Sequence, residues 1–353
     1  MSTERSAISP SRALTGLWFE QTARNLHLRY RAATPTPETR CKLDDDVLIW
    51  RGHRVRVVQA GAGDPLLLLG GLGSHLGMWA PFAAEFPARR IIRFDMPGSG
   101  LSSTPLYPLS IPALAQLAVA VLDHCATPRA DVVGFSYGGA VAQQTARDHP
   151  RRVRRLVLAA TTCGVGGVPG SIAAMTALAT PLRFYSRPYF EQVAAALYGG
   201  ATGRDPEVRT QQIRMRNHAP PPSSYGYAMQ MLGGKGWSSL PFLTDIPHET
   251  LVISGDDDPL VPVENARILA DRIPRARLKI VKRAGHLLLW DDAPNVAAHI
   301  RSFINDRAAW NQRRVRAAKQ KERREPDTRE GPTYRSRPTS SGVLQKPALD
   351  HRL

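Results

Sequence analysis

The sequence predicts an α/β protein: a mostly parallel, eight-stranded sheet flanked by helices, with a helical cap inserted after the sixth strand. Three observations carry this expectation. Short β-branched or leucine-rich runs alternate with longer helical patterns, and that alternation implies parallel pairing with both sheet faces covered. One interval, from about Val165 to Phe242, breaks the rhythm: it has no strand pattern, and Gly, Pro and aromatic residues recur in it. No internal repeat of roughly 20 to 50 residues is visible, which excludes solenoids and propellers.

The expected strands are Val47 to Trp50, Arg54 to Gln59, Leu66 to Leu69, Ile91 to Asp95, Asp131 to Val133, Leu156 to Ala159, Leu251 to Ser254 and Leu278 to Val281. Helical patterns fall at Met78 to Glu85, Ile111 to His124, Gly138 to His149, Val263 to Arg272 and Asn295 to Ile304. The core is thus expected over 46–164 and 243–307, with 165–242 as the helical cap. Residues 1–45 are polar and turn-rich and read as a loosely ordered extension. Residues 308–353 read as a basic, largely disordered tail.

With 353 residues, 42% of them hydrophobic, the chain has enough apolar material for a real core. Cys41, Cys125 and Cys163 are odd in number and far apart, which supports neither a disulfide framework nor a zinc site and suits a reducing compartment. The first twenty residues lack a signal-peptide core. The most apolar stretch, Ala113 to Leu122, is about half the ~20 residues that span a bilayer, so no transmembrane segment is expected. The net charge of +17 is uneven: the last 47 residues carry 13 basic and 5 acidic side chains. That tail is a solubilising appendage or a docking segment for an anionic surface. No recognition module for sequence-specific nucleic acid accompanies it.

The strongest local signal is DVVGFSYGGA at 131–140, an apolar strand that runs through Ser136 straight into a helical pattern. This is the strand, turn and helix context of a nucleophile elbow, in which the neighbours at minus two and plus two, here Gly134 and Gly138, must be small. A serine hydroxyl needs a base, and the base needs an orienting acid. In this chain order the acid comes next and the histidine last. The strand at 251–254 runs into Gly255, Asp256, Asp257, Asp258 and Pro259, and Asp258 is favoured among the three aspartates. The final expected strand leads to KRAGH, which makes His286 the candidate base. Oxyanion donors, each worth about 3–4 kcal/mol when well placed, are expected from the N–H groups of Tyr137 and of Leu72, the latter in the Gly-rich loop after the third strand. That loop has neither the Lys-Ser/Thr pair nor the GxGxxG spacing of a phosphate cradle. Within the cap, Met215, Tyr225, Met229 and Trp237, with Tyr227 and Met231, either line an apolar substrate tunnel or fill the cap's own small core.

With these residues in place, the chain resembles the α/β-hydrolase superfamily over roughly 47–307. Several segments resemble the intracellular poly(3-hydroxyalkanoate) depolymerases of medium-chain polymers: FDMPGSGLSSTP at 94–105, GGAVAQQ at 138–144, LVLAATTCG at 156–164, ALYGG with RDPE at 196–207, GWSSL at 236–240 and GDDDPLVP at 255–262. The resemblance implies Ser136 as nucleophile, Asp258 as acid and His286 as base, with no cofactor and no metal. It departs at Gly70, where many superfamily members have a histidine, and at Tyr137, where those depolymerases tend to have Trp. The expected function is a serine esterase cleaving apolar 3-hydroxyacyl esters, as a stored polyester or as smaller esters, in the cytoplasm or on storage granules. The basic tail would dock on an anionic granule or lipid surface. Other α/β-hydrolase activities are the alternatives: a small-ester or lipid esterase, a C–C bond hydrolase or a perhydrolase. A binding protein that docks on a surface while keeping a hydrolase scaffold is the alternative of another class.

Overall fold

The computed structural model describes residues 47–306; the expected N-terminal extension and basic tail lie outside them. Eight strands form one sheet: β1 (Val47–Trp50), β2 (His53–Ala60), β3 (Asp64–Leu69), β4 (Arg89–Phe94), β5 (Ala130–Phe135), β6 (Val153–Ala159), β7 (Thr250–Gly255) and β8 (Ala276–Val281). Their spatial order is β1-β2-β4-β3-β5-β6-β7-β8. Only the β1–β2 and β2–β4 pairings are antiparallel. Each expected strand is present, with ends that extend by up to three residues, except that β4 stops at Phe94, one residue short of the expected Asp95.

The leucine run of β3 shows why the strands read as continuous apolar segments. Leu66 and Leu68 join the core on one face while Leu67 and Leu69 join the core on the other, the period-2 alternation of a sheet covered on both sides. One face is covered by α2 (Ile111–His124), α3 (Tyr137–Asp148) and α10 (Val263–Arg272). The other packs against α1 (Ala80–Ala84), α11 (Leu288–Asp291) and α12 (Ala293–Asn305). The helix expected at Met78 to Glu85 is instead a 3-10 turn, Leu76–Trp79, followed by the single turn of α1, with Pro81 in its first turn. Proline lacks the N–H that a continuous helix would use there.

Between β6 and β7 the chain forms six helices: α4 (Ile172–Leu178), α5 (Leu182–Tyr185), α6 (Arg187–Tyr198), α7 (Gly200–Arg204), α8 (Pro206–Arg216) and α9 (Ser224–Gly234). Serine or aspartate side chains cap four of them: Ser171, Ser186, Asp205 and Ser223 accept from backbone N–H groups of the first turns of α4, α6, α8 and α9. The two ends of this insertion are pinned together by an isolated antiparallel bridge between Gly164 and Ser238, with Val165 N–H donating to Trp237 O at 2.9 Å and Ser239 N–H to Cys163 O at 2.8 Å. The inserted helices therefore rise from one short stem. Inner faces of α4 and α6 join the same apolar core as α11 and α12, through Ala174, Ala177, Phe190, Ala194 and Leu197.

Candidate active site

Strand β5 is buried along its whole length and delivers Ser136 to the end of the central strands. Ser136 has φ 52° and ψ −117°, a backbone conformation that L-residues avoid and that stores about 1–3 kcal/mol of strain. The surroundings hold it there. Its N–H donates to Ala159 O at 2.9 Å, and its carbonyl accepts from Gly139 N–H at 2.8 Å and from the Thr161 hydroxyl at 2.7 Å. The turn is this tight because nothing larger than glycine fits beside it. A Cβ on Gly134 would sit 2.5 Å from Gly138 O, and one on Gly138 would run into the backbone oxygens of Leu69 and Gly70.

His286 lies after β8, and its Nε2 is 3.0 Å from Ser136 Oγ. Its Nδ1 is 2.8 Å from Asp258 Oδ2. The backbone N–H of His286 donates to Tyr198 O at 2.7 Å, and its ring lies between those of Phe135 and Tyr198. Asp258 is buried, and its Oδ1 accepts from the N–H groups of Leu260 and Val261, each at 2.9 Å. The carboxylate thus turns one oxygen to its own loop and the other to the imidazole. Its neighbours do other work. Asp256 accepts from Arg283 N–H and pairs with Lys282; desolvation pushes its carboxyl up, and these partners together outweigh that and hold it below the usual range. Asp257 accepts from Gly200 N–H and pairs with Arg204, tying the loop to α7.

The Gly-rich loop after β3 is fixed from both ends. The N–H and hydroxyl of Ser74 both donate to Gly71 O, and Gly73 N–H donates to Gln230 Oε1 at 2.9 Å. Gln230 in turn donates to Pro97 O, so α9 braces this loop. Leu72 lines a cavity that also includes Ser136 and His286. Tyr137 opens α3 directly after the serine, and burial pushes its phenol well up from the ordinary value.

The cavity wall is largely apolar, with Met78, Phe135, Leu178, Phe184, Leu287 and Trp290 among its residues, but it also includes Arg183, Tyr198 and Arg216. The cap residues expected to line it, Met215, Tyr225, Met229 and Trp237, are not among them. Met215 packs against the apolar core, and Trp237 packs on the opposite core while its Nε1 donates to Gln144 Oε1 at 2.8 Å. Tyr225 is half-exposed and donates to Leu106 O, and Met229 is partly buried on α9. Tyr227 is buried, and its hydroxyl donates to Leu178 O. The residues that do reach the cavity come from α5, α6 and the ends of α4 and α8. For Arg183 and Phe184 the sign in the sequence is the Arg and aromatic interleaving of LRFYSRPYF at 182–190, which does not say which way each side chain turns; Leu178, Tyr198 and Arg216 lie outside it. Among the described residues no cluster of His, Cys, Asp and Glu could hold a metal ion.

This sheet order, with a strained serine between β5 and a helix, defines a class. Residues 64–293 match the family described as alpha/beta hydrolase fold, so the chain belongs to that family and is a hydrolase of that class. It is 42% identical over 242 residues to the poly(3-hydroxyalkanoate) depolymerase of Ectopseudomonas oleovorans, a match covering 68% of this chain and 84% of that protein. It is 30% identical over 272 residues to the 2-hydroxymuconate semialdehyde hydrolase of Pseudomonas sp. strain CF600, covering 73% and 92%. Among solved structures, a hydrolase from Pseudomonas aeruginosa PA01 superposes with a TM-score of 0.63 at 25% identity, covering 73% of this chain and 97% of that one.

Proposed function

We propose that this chain is a serine-dependent carboxylic ester hydrolase that cleaves apolar 3-hydroxyacyl esters, in the manner of a poly(3-hydroxyalkanoate) depolymerase. The observation that carries the reading is the hydrogen-bonded series from Ser136 Oγ through His286 to Asp258, at 3.0 and 2.8 Å. Similarity to the Ectopseudomonas oleovorans depolymerase supports the substrate class.

In the proposed reaction Ser136 Oγ attacks the ester carbonyl carbon while His286 Nε2 takes its proton. Asp258 holds the imidazole in the tautomer with its proton on Nδ1 and stabilises the imidazolium. The N–H groups of Leu72 and Tyr137 receive the oxyanion, in the positive field at the N-terminus of α3. Collapse of the tetrahedral intermediate breaks the C–O bond; the alcohol leaves with the proton from His286, and the acyl group stays on Ser136. Water, deprotonated by His286, then attacks the acyl carbon and frees the acid. Ser136→Ala should lower kcat on a chromogenic medium-chain ester by about a millionfold with the melting temperature retained. Turnover close to wild type would remove the serine from the mechanism.

The identity to a 2-hydroxymuconate semialdehyde hydrolase favours one second reading, in which the same residues hydrolyse a C–C bond. Clearing of an amorphous medium-chain polyester suspension, set against turnover of a C–C substrate, separates the two.

A further inference from the structure

Two cations in the cavity wall are left unused by the proposed chemistry. Arg183, on α5, and Arg216, at the end of α8, are 4% and 8% exposed. Arg183 Nε and Arg216 Nη2 donate to the same Tyr198 hydroxyl oxygen, at 3.0 and 2.9 Å. Arg183 Nη1 also donates to Thr180 O and to the Tyr227 hydroxyl, and Arg216 Nη1 reaches Arg183 O at 3.4 Å. Aromatic faces pack on both groups: the guanidinium carbon of Arg216 is 4.2 Å from the ring centre of Phe190, and that of Arg183 is 4.5 Å from Phe184.

These contacts fill the shape of the two guanidiniums with hydroxyl and carbonyl oxygens and give neither a carboxylate. Burial disfavours the charge on both; at Arg183 the Tyr198 and Tyr227 hydroxyls outweigh it, whereas at Arg216 burial and the neighbouring Arg183 prevail over Tyr198. No residue lining the cavity is acidic, and Asp258 is committed to His286 and its own loop. Arg216 Nε is buried without a partner, and Arg183 Nη2 makes no hydrogen bond among the described residues. Arginine does not lose its proton in proteins, so the wall holds two positive charges. Tyr198 does not cancel them. Burial pushes its phenol up, and the two guanidiniums outweigh that and bring it below the ordinary value. Even a full phenolate would leave one charge over. Buried charge of one sign is unfavourable until an opposite charge joins it, and the planar fork of arginine matches a carboxylate.

We propose that the cavity takes 3-hydroxyacyl esters that end in a free carboxylate, with Arg183 and Arg216 binding that carboxylate while the apolar side chains of the substrate lie against Met78, Leu178, Phe184 and Trp290. The inference rests on the ester-hydrolase reading above and narrows its substrate to the carboxylate-terminated end of a 3-hydroxyacyl chain. The arginines act in binding and selectivity; the bond-breaking steps stay with Ser136 and His286.

The test compares a medium-chain 3-hydroxyacyl dimer as the free acid with the same dimer as its methyl ester. Wild-type protein should favour the acid by roughly tenfold or more in kcat/KM, mostly through KM, because a charge-assisted bidentate contact is lost in the methyl ester. Arg183→Met and Arg216→Met should each bring the ratio close to one. Leu178→Glu, which places a carboxylate on the same wall, should also abolish the preference and raise the melting temperature, a readout that survives if the methionine variants do not fold. Equal or better turnover of the methyl ester by wild-type protein overturns the proposal, as does a folded arginine variant that keeps the acid preference. Failure of the ester-hydrolase reading looks different: wild-type protein cleaves neither dimer, or Ser136→Ala cleaves both. Calorimetric binding of the acid and the methyl ester to Ser136→Ala then still reads the arginines directly, with tighter binding of the acid supporting them and equal binding overturning them.

Discussion

His75 illustrates how a single side chain in this fold ties the braced loop to the cap. It is 5% exposed, its Nε2 faces Arg216 O at 3.2 Å, and its Nδ1 is buried without a partner. Desolvation dominates, and the His75 pKa falls to about 4 despite the hydrogen bond to Arg216 O. A group with a lower pKa in the folded state than in the unfolded one binds fewer protons when folded, so its contribution is present above pH 6.5 and is lost as pH falls toward 4. Between pH 7 and 4.5 wild-type protein should lose about 2–3 kcal/mol more than His75→Gln, which keeps a donor for Arg216 O. Urea midpoints at the two pH values check this, and parallel losses in both proteins would contradict it. The same reasoning distinguishes Asp258 from its neighbours. Three consecutive aspartates are chemically alike in the sequence, and only the turn that points Asp258 inward, under two backbone N–H groups, separates it from the two that meet Lys282 and Arg204.

Among the elements, the junction of β5 with α3 is the most constrained. A Cβ on Gly138 would strike the backbone oxygens of Leu69 and Gly70, which belong to β3 and the start of the braced loop. Neither is the flexible end of a side chain, so Gly138→Ala must move either the helix or the strand. Thermal denaturation should show a loss of about 1–3 kcal/mol or more, together with a fall in kcat, because the displaced backbone carries the N–H groups assigned to the oxyanion. An unchanged melting temperature would mean that the junction relaxes freely. The other end of β5 is held by charge. Asp131 is fully buried and pairs with Arg89 and Arg154, from β4 and β6. Removing it takes the buried carboxylate from both arginines and leaves Arg89 the half-exposed Asp64, at 3.9 Å, so Asp131→Ala should destabilise by up to about 3–5 kcal/mol. Chemical denaturation reads that loss. Below the melting range the KM of the folded fraction should be unchanged, because the pair lies at the end of the strand opposite Ser136.

The chain combines a net charge of +17 with a cavity that is largely apolar apart from Arg183, Tyr198 and Arg216. No helix among the described residues is long and apolar enough to cross a membrane. From the uneven charge alone we propose that the segment 308–353 docks on an anionic granule or lipid surface. Truncation after Arg313 should therefore weaken co-sedimentation with anionic vesicles at low salt, and added salt should weaken it for the full chain as well. Equal sedimentation of both forms would discard the docking idea. The cavity is a separate matter, since α4, α5, α6 and α8 supply one part of its wall and the loops after β3, β5, β7 and β8, with α11, the rest.

The sequence by itself determined the sheet, the serine and histidine that meet at the ends of its central strands, and the loop of three aspartates beside them; which aspartate turns inward was decided by the fold. Period-2 runs such as LLLL in β3, and the glycines around Ser136, are local constraints, and local constraints are written in adjacent residues. The break between β6 and β7 was equally legible, because an absence of strand pattern needs no partner to be seen. The cavity wall was decided only by tertiary structure. Met215, Tyr225, Met229 and Trp237 have the composition of a tunnel, but the packing of α8 and α9 and of the stem turns them into cores or toward the surface. Arg183, Tyr198 and Arg216 come from three short helices, and their convergence depends on how those helices cross. Crossing is set by the long-range packing of small buried faces, which no window of consecutive residues contains.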